Sequence, residues 1–235
     1  MSNNREYEIV IQSKNILMDE LRGRIKNIGG EIYQPEQIFY HIKYSHPYKN
    51  KRNHNNFIRL RNEGNKITLT YKIYDTKHGK KYPIEHEVIV NDFKEANIIL
   101  NLLGCKKKYE CHKLREIWKL EDCEIVFDTY PGIETYAELE CDSEDKIKQV
   151  LKKLYLDTNL NLYNRLQSQQ YYKKIYGIQQ QQQQQQQYNR LSFKTAYKIL
   201  LERATINKSL LKSRLDDVNK KYKEQILELE KLSTN

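Results

Sequence analysis

Phe57-Ile-Arg-Leu-Arg-Asn-Glu-Gly-Asn-Lys-Ile-Thr-Leu-Thr-Tyr-Lys72 is the stretch from which the fold can be read. Ile58 and Leu60 alternate with Arg59 and Arg61, a Glu-Gly-Asn turn follows, and Ile67, Leu69, Tyr71 and Ile73 alternate with Thr68, Thr70 and Lys72. Successive side chains of a strand point to opposite faces, so this is a hairpin with one apolar face and one cationic face.

The pattern recurs, with ionic residues two apart. Glu6 and Glu8 share a face of a first strand, Glu85 and Glu87 of a middle one, Lys113 and Arg115 of a later one, and Glu138 and Glu140 of the last; Asp128 follows Ile125 and Phe127. In a single strand such a pair is ordinarily a solvated face of an antiparallel sheet. Repeated in six strands, with acids and bases segregated into different strands, it calls for another explanation. A polar face carrying both signs is accounted for if it lines a closed, wet interior. The fold class that follows is α+β: an antiparallel eight-stranded tunnel-like β-barrel with flanking helices.

The order Glu6-Tyr-Glu8, Arg59-Leu-Arg61, Leu69-Thr-Tyr-Lys72, Glu85-His-Glu87, Lys113-Leu-Arg115, Asp128 and Glu138-Leu-Glu140 resembles the CYTH domains. These triphosphate tunnel metalloenzymes include the class IV adenylate cyclases and thiamine triphosphatases. The resemblance covers roughly residues 5–176, and its Leu-Thr-Tyr-Lys element leans toward the cyclase branch. It implies phosphate-gripping roles for Arg59, Arg61, Lys72, Lys113 and Arg115. Glu6, Glu8, Glu138 and Glu140 would hold Mg²⁺ or Mn²⁺, and Glu85, Glu87 and Asp128 would supply catalytic support through metal ligation, water positioning or bracing of the basic row. The sequence departs from the family at Val10, which stands where the opening Glu-x-Glu-x-Lys has lysine. Lys14 and Lys43 are the candidate substitutes for that cation.

These residue types suit a triphosphate. Its reactions spread charge over non-bridging oxygens, so catalysis is largely positioning and electrostatics. Arginine forks bind phosphate bidentately and lysines act as point charges, while carboxylates suit hard divalent cations. The expected substrate is a nucleoside, thiamine or inorganic triphosphate, and the leading expectation is a phosphohydrolase. Two alternatives stay open: a class IV-type adenylate cyclase making cyclic AMP and pyrophosphate from ATP, and a catalytically inactive polyphosphate or nucleic-acid binding protein.

The rest of the chain sets bounds. A hydrophobic fraction of 38% over 235 residues suffices for one core plus an appendage. The formal charge of +10 attracts polyanions generally, but the chain has no zinc-finger, helix-turn-helix or RNP-type motif, so nucleic acid is not favoured. Cys105, Cys111, Cys123 and Cys141 form no C-x-x-C pair and read as reduced, packed thiols. The N-terminus has no apolar leader and no apolar run suits a membrane span, so the expectation is a soluble, intracellular protein.

Taken in order, Tyr7, Ile9 and Ile11 face a core. Leu17, Leu21, Ile25 and Ile28 at helical spacing, stopped by Gly29-Gly30, predict a first helix. Residues 31–44 read as one or two strands, 45–56 as a loop, Asp75–Lys81 as a basic loop and Pro83–Val90 as a strand. Asp92 with Glu95 caps a second helix carrying Ala96, Ile99, Leu100 and Leu103. Strands follow at 109–119, 123–129 and Tyr136–Cys141, with Trp118 in the core. A third helix from Ser143 carries Ile147, Val150, Leu151 and Leu154, and the Ser168–Ile175 stretch resembles the family's closing element. The tunnel domain is set at 1–177 and a linker at 178–187 around the nine glutamines Gln179–Gln187. A C-terminal amphipathic helix at 188–235 has apolar residues at 3-4 spacing from Leu201 to Leu232, broken by Lys208 and Gln225; it either self-associates as a coiled coil or packs on the domain.

Overall fold

The computed structural model describes residues 7–48, 56–74, 84–160, 190–194, 200 and 208–233. Glu6, the basic loop His78–Lys81, the closing stretch Ser168–Ile175 and the glutamine run therefore lie outside the described residues, as do Leu201 and Ala204.

The elements are β1 (Tyr7–Ile11), α1 (Met18–Asn27), β2 (Glu31–Ser45), β3 (Phe57–Asn62), β4 (Ile67–Ile73), β5 (Ile84–Val90), α2 (Phe93–Leu102), β6 (Lys106–Leu120), β7 (Cys123–Thr129), β8 (Tyr136–Cys141), α3 (Glu144–Lys153) and β9 (Arg190–Leu191). Two C-terminal helices complete the fold, α4 (Lys208–Lys221) and α5 (Lys223–Ser233). Eight strands pair antiparallel in the order β1-β8-β7-β6-β2-β3-β4-β5, and β9 adds in parallel to β6. The sheet curls, with its ionic face inward and its apolar face under the helices.

Two clusters fill the apolar face. One joins Ile9, Ile11, Trp118, Ile125 and Leu139 to Leu21 and Ile25 of α1 and Ile147 and Leu151 of α3. The other joins Ile38, Tyr40, Ile42, Tyr44 and Leu60 to α2 and to Leu215, Tyr222, Ile226 and Leu229 of the C-terminal helices. The C-terminal segment thus packs on the domain. Tyr222 lies at the break between α4 and α5, and its hydroxyl donates to the Glu36 carboxylate at 2.7 Å, while Lys221 pairs with the same group at 2.9 Å.

Local signals explain the boundaries. Asp92 accepts from the Glu95 amide at 2.9 Å and Ser143 from that of Lys146 at 3.3 Å, capping α2 and α3. After α1, the chain passes so close to Ile25 that a Cβ on Gly30 would lie 2.3 Å from its Cγ2. The hairpin turn places Gly64 at φ +87°, in the left-handed region that glycine enters without cost.

Three expectations are corrected, and residues 31–44, expected as one or two strands, resolve as one. Leu17 caps α1 and is 70% exposed, and Met18 takes the buried place because the helix begins one residue later. Ile99 and Leu103 are exposed, since α2 turns Phe93, Ala96, Asn97 and Leu100 inward. Residues 31–45 form one long strand that absorbs Pro35 through register shifts. Cys123 and Cys141, flanking the β7–β8 ladder, are joined as a disulfide; Cys105 and Cys111 are free and buried. Among the described residues no helix is long and apolar enough to cross a membrane.

Candidate active site

Strand register assembles the inner face row by row. Arg59 lies opposite Lys43 and Thr70, Arg61 opposite His41 and Thr68, Lys72 opposite Phe57 and Glu85, and Thr70 opposite Glu87. In the other half of the sheet Arg115 lies opposite Gln37 and Asp128, Lys113 opposite Phe39, Glu138 opposite Val126 and Val10, and Glu140 opposite Glu124 and Glu8. Phe39 lies where the halves meet, with the Arg61 and Arg115 guanidinium carbons 5.5 and 6.0 Å from its ring centre.

The cations are held by carboxylates. Asp128, 1% exposed, accepts two bonds from Arg115 at 2.6 and 2.7 Å and one from Lys113 at 2.8 Å, and Arg115 also reaches Glu138 at 3.3 Å. Lys72 pairs with Glu85. Arg59 lies 3.9 Å from Glu85 and 3.6 Å from Glu87, which also accepts from the Thr70 hydroxyl at 2.6 Å and lies 4.0 Å from Arg61. Buried charges of this kind persist only when paired.

Burial and neighbouring charge set the protonation of the row. Burial, with the repulsion of Arg115, holds the Lys113 ammonium down at about 7 against the pull of Asp128 and Glu138. Burial alone would raise Asp128, but the charges of Arg115 and Lys113 reverse this and hold it well below the usual carboxylate range. Arg61 is lowered to about 10 by burial and by Arg59 and Arg115. His41 is pushed well below its ordinary value by burial and by the cations Lys113, Arg59, Arg61 and Lys43, so it is neutral. Its Nε2 lies 3.5 Å from the Cys111 sulfur, a thiol that burial raises to about 12.

Glu8, Glu138 and Glu140 place a carboxylate oxygen each within 4.8 Å of one another. Arg115 reaches one of the three, Glu138, at 3.3 Å, and a further cation would offset the repulsion that remains among them. The all-oxygen donor set fits a hard divalent ion. Glu6, the fourth expected ligand, lies outside the described residues.

The structure therefore brings together the expected acids and bases that it describes. Val10 shares their face, 4% exposed and opposite Glu138. Lys14 is exposed in a turn, and Lys43 rests its ammonium 3.5 Å from the Phe57 ring centre. One residue was missed. Glu63 is buried at the end of β3, accepting from Arg61 at 2.7 Å and from Thr68 at 3.1 Å, and the charges it meets lower it despite burial. Its parity with Arg59 and Arg61 was a usable signal, obscured by its place in the turn.

The CYTH domain family model matches residues 8–172. A Methanocaldococcus jannaschii protein provisionally named an adenylate cyclase is 25% identical over 164 residues, covering 68% of this chain and 91% of that protein. Among solved structures, a Vibrio parahaemolyticus protein, also provisionally named an adenylate cyclase, superposes with a TM-score of 0.59 at 15% identity, covering 72% of this chain and 99% of that one. A Pyrococcus horikoshii protein gives 0.55 at 23% identity, covering 72% and 98%. At these identities the structural likeness speaks for the fold alone.

Proposed function

The chain belongs to the CYTH domain family, and from that premise we propose that it is a divalent-metal-dependent enzyme acting on a triphosphate, with phosphohydrolysis as its reaction. The observation that carries this reading is the convergence of Glu8, Glu138 and Glu140 on the face that also bears Arg59, Arg61, Lys113 and Arg115. Cations alone would bind phosphate without metal, and acids alone would repel it.

Glu8, Glu138 and Glu140 would hold Mg²⁺ or Mn²⁺, with Glu6 as a further ligand. Bound there, the ion supplies charge neutralisation at the phosphate oxygens. Arg59, Arg61 and Arg115 present planar forks to the same oxygens, and Lys72 and Lys113 add point charges. Asp128 and Glu85, enclosed by their cation partners, act as positioning residues. Glu87 is the most open of the three remaining acids, its side chain 37% exposed against 13% for Glu85 and 1% for Asp128. It is therefore the one able to orient a water toward the terminal phosphorus, since a base must reach the proton it takes.

A cyclase reading is favoured by the name of the archaeal relative and by Leu69-Thr-Tyr-Lys72. In it the ribose 3′-oxygen attacks the α-phosphorus and pyrophosphate leaves. Product analysis with ATP and, separately, inorganic triphosphate, in Mg²⁺ or Mn²⁺, tests both. Orthophosphate supports the hydrolase, and cyclic AMP with pyrophosphate supports the cyclase. Tight binding without product leaves a domain that has kept its site and lost its chemistry at Val10.

A further inference from the structure

The register of β2 with β6 jumps from Gln34 opposite Ile117 to Gln37 opposite Arg115, so Pro35 and Glu36 stand outside the ladder. Residues left out of a ladder lack the bonds that fix a strand's course. The two faces of this bulge meet different parts of the molecule. On the inner face Gln37 lies opposite Arg115, and its side chain rests against the β3–β4 turn, where a Cβ on Gly64 would lie 3.1 Å from the Gln37 Oε1. Glu63, the residue before that glycine, accepts from Arg61 at 2.7 Å. The bulge therefore abuts both halves of the basic row.

On the outer face the C-terminal helices grip Glu36. The Tyr222 hydroxyl donates to its carboxylate at 2.7 Å and lies 3.3 Å from its backbone oxygen, and the Lys221 ammonium donates to the same carboxylate oxygen at 2.9 Å. Burial alone would raise Glu36, but these bonds hold its carboxyl below the ordinary value. Tyr222 is buried in one cluster with Ile38, Ile226 and Leu229, so the grip comes from a packed support. Both α4 and α5 lie beyond residues 8–172, the span of the family model.

We propose that Tyr222 is a positioning residue for the basic row: by holding Glu36 from the outer face, with Lys221 beside it, it fixes the β2 bulge that seats Gln37 next to Arg115, so that docking of the C-terminal helices and binding of triphosphate on the inner face strengthen each other. The inference rests on the triphosphate reading above and adds to it a coupling to a segment outside the matched domain. Tyr222 does not lie on the ligand's face; it acts through Glu36. Loss of the grip frees the bulge to shift along β6, which moves Gln37 away from Arg115 and from the turn that carries Glu63. Linkage makes the effect reciprocal: the affinity that the grip adds to triphosphate is the affinity that bound triphosphate adds to the docking of the helices.

The test is titration calorimetry of inorganic triphosphate, with Mg²⁺, on the full chain as wild type, Tyr222→Phe, Glu36→Gln and the double variant, with amide hydrogen exchange of residues 218–226 followed with and without the ligand. Ile25→Val, a mild change in the other apolar cluster, controls for a general loss of stability. We expect Tyr222→Phe and Glu36→Gln each to weaken triphosphate about fivefold or more, the low end for coupled sites. The double variant should lose little more than either alone, because both changes cut the same bond. Bound triphosphate should slow exchange across residues 218–226 in the wild type and not in Glu36→Gln. If Glu36→Gln does not fold, Tyr222→Phe, which removes one hydroxyl and keeps the ring, carries the test. Unchanged affinity in the variants, no protection in the wild type, or an equal loss in Ile25→Val each overturns the coupling and leaves the triphosphate reading standing. A wild type that binds no triphosphate removes that reading and the coupling with it.

Discussion

Arg115 holds Asp128 by two parallel hydrogen bonds across the β6–β7 ladder, Nε to Oδ1 at 2.7 Å and Nη2 to Oδ2 at 2.6 Å, while the other flank of the carboxylate receives Lys113. Two buried cations thus share one anion. With Asp128 fixed, the same Nη2 also reaches Glu138 at 3.3 Å, which places the basic row against the proposed metal ligands.

Asp128→Asn keeps the shape and removes the charge, leaving the buried Lys113 without its carboxylate partner and Arg115 with Glu138 alone. Breaking such a pair costs about 3–5 kcal/mol. We expect a clear fall in melting temperature in anion-free buffer, and a larger recovery with inorganic triphosphate than in the wild type, because its oxygens replace the lost carboxylate. Thermal melts with and without the ligand check this; equal recovery in both proteins would remove Asp128 from the basic row.

The acidic cluster makes a second prediction. Glu8, Glu138 and Glu140 bring three carboxylates together, of which Arg115 reaches Glu138 at 3.3 Å, and a divalent cation among them would offset the repulsion that remains. Glu140→Gln should therefore abolish the rise in melting temperature that Mn²⁺ gives the wild type. Glu138→Ala/Glu140→Ala should lose Mn²⁺ binding altogether, as titration calorimetry would measure. Salt-sensitive nucleic-acid binding indifferent to these changes would favour the binding-protein alternative.

Much of this geometry was legible because strand period is two and each site residue is ionic. Arg59 and Arg61, Glu85 and Glu87, and Glu138 and Glu140 could be assigned to one face without knowing which strands are neighbours. Partnership was not legible, because register depends on long-range pairing. Nothing local to Asp128 says that it faces Arg115 rather than Lys119, and nothing near Cys123 says that it meets Cys141. The bulged course of β2 was hidden for a related reason: Pro35 reads as a break, and only pairing to β6 shows the strand passing through it.

Val10 is where the family's cation is absent, and its position opposite Glu138 makes the gap testable by gain. A lysine there would have a carboxylate neighbour to offset its burial. Losing one well-placed donor to a developing charge typically costs about 10²–10³ in kcat. If the wild type turns triphosphate over slowly, Val10→Lys should raise kcat by about tenfold or more with a smaller change in KM. Steady-state kinetics decide it, and an unchanged kcat would mean that this chain does not need the cation.

His41 gives the pH dependence. Its folded value lies well below the ordinary 6.5 because it is buried among Lys113, Arg59, Arg61 and Lys43. As pH falls below about 6.5 the unfolded chain takes up a proton that the folded chain refuses, so stability falls with acid. Lys113 acts in the same direction at higher pH. Its folded value of about 7 lies below the unfolded value near 10.4, so between about pH 7 and 9 the unfolded chain again holds the extra proton and stability rises with pH. Denaturant midpoints should therefore climb from pH 5 to 9. His41→Asn should flatten the climb below 6.5 and Lys113→Met the climb above 7. A wild-type midpoint that is level across both ranges would mean that water reaches these groups, and that the face on which the triphosphate reading depends is open rather than enclosed.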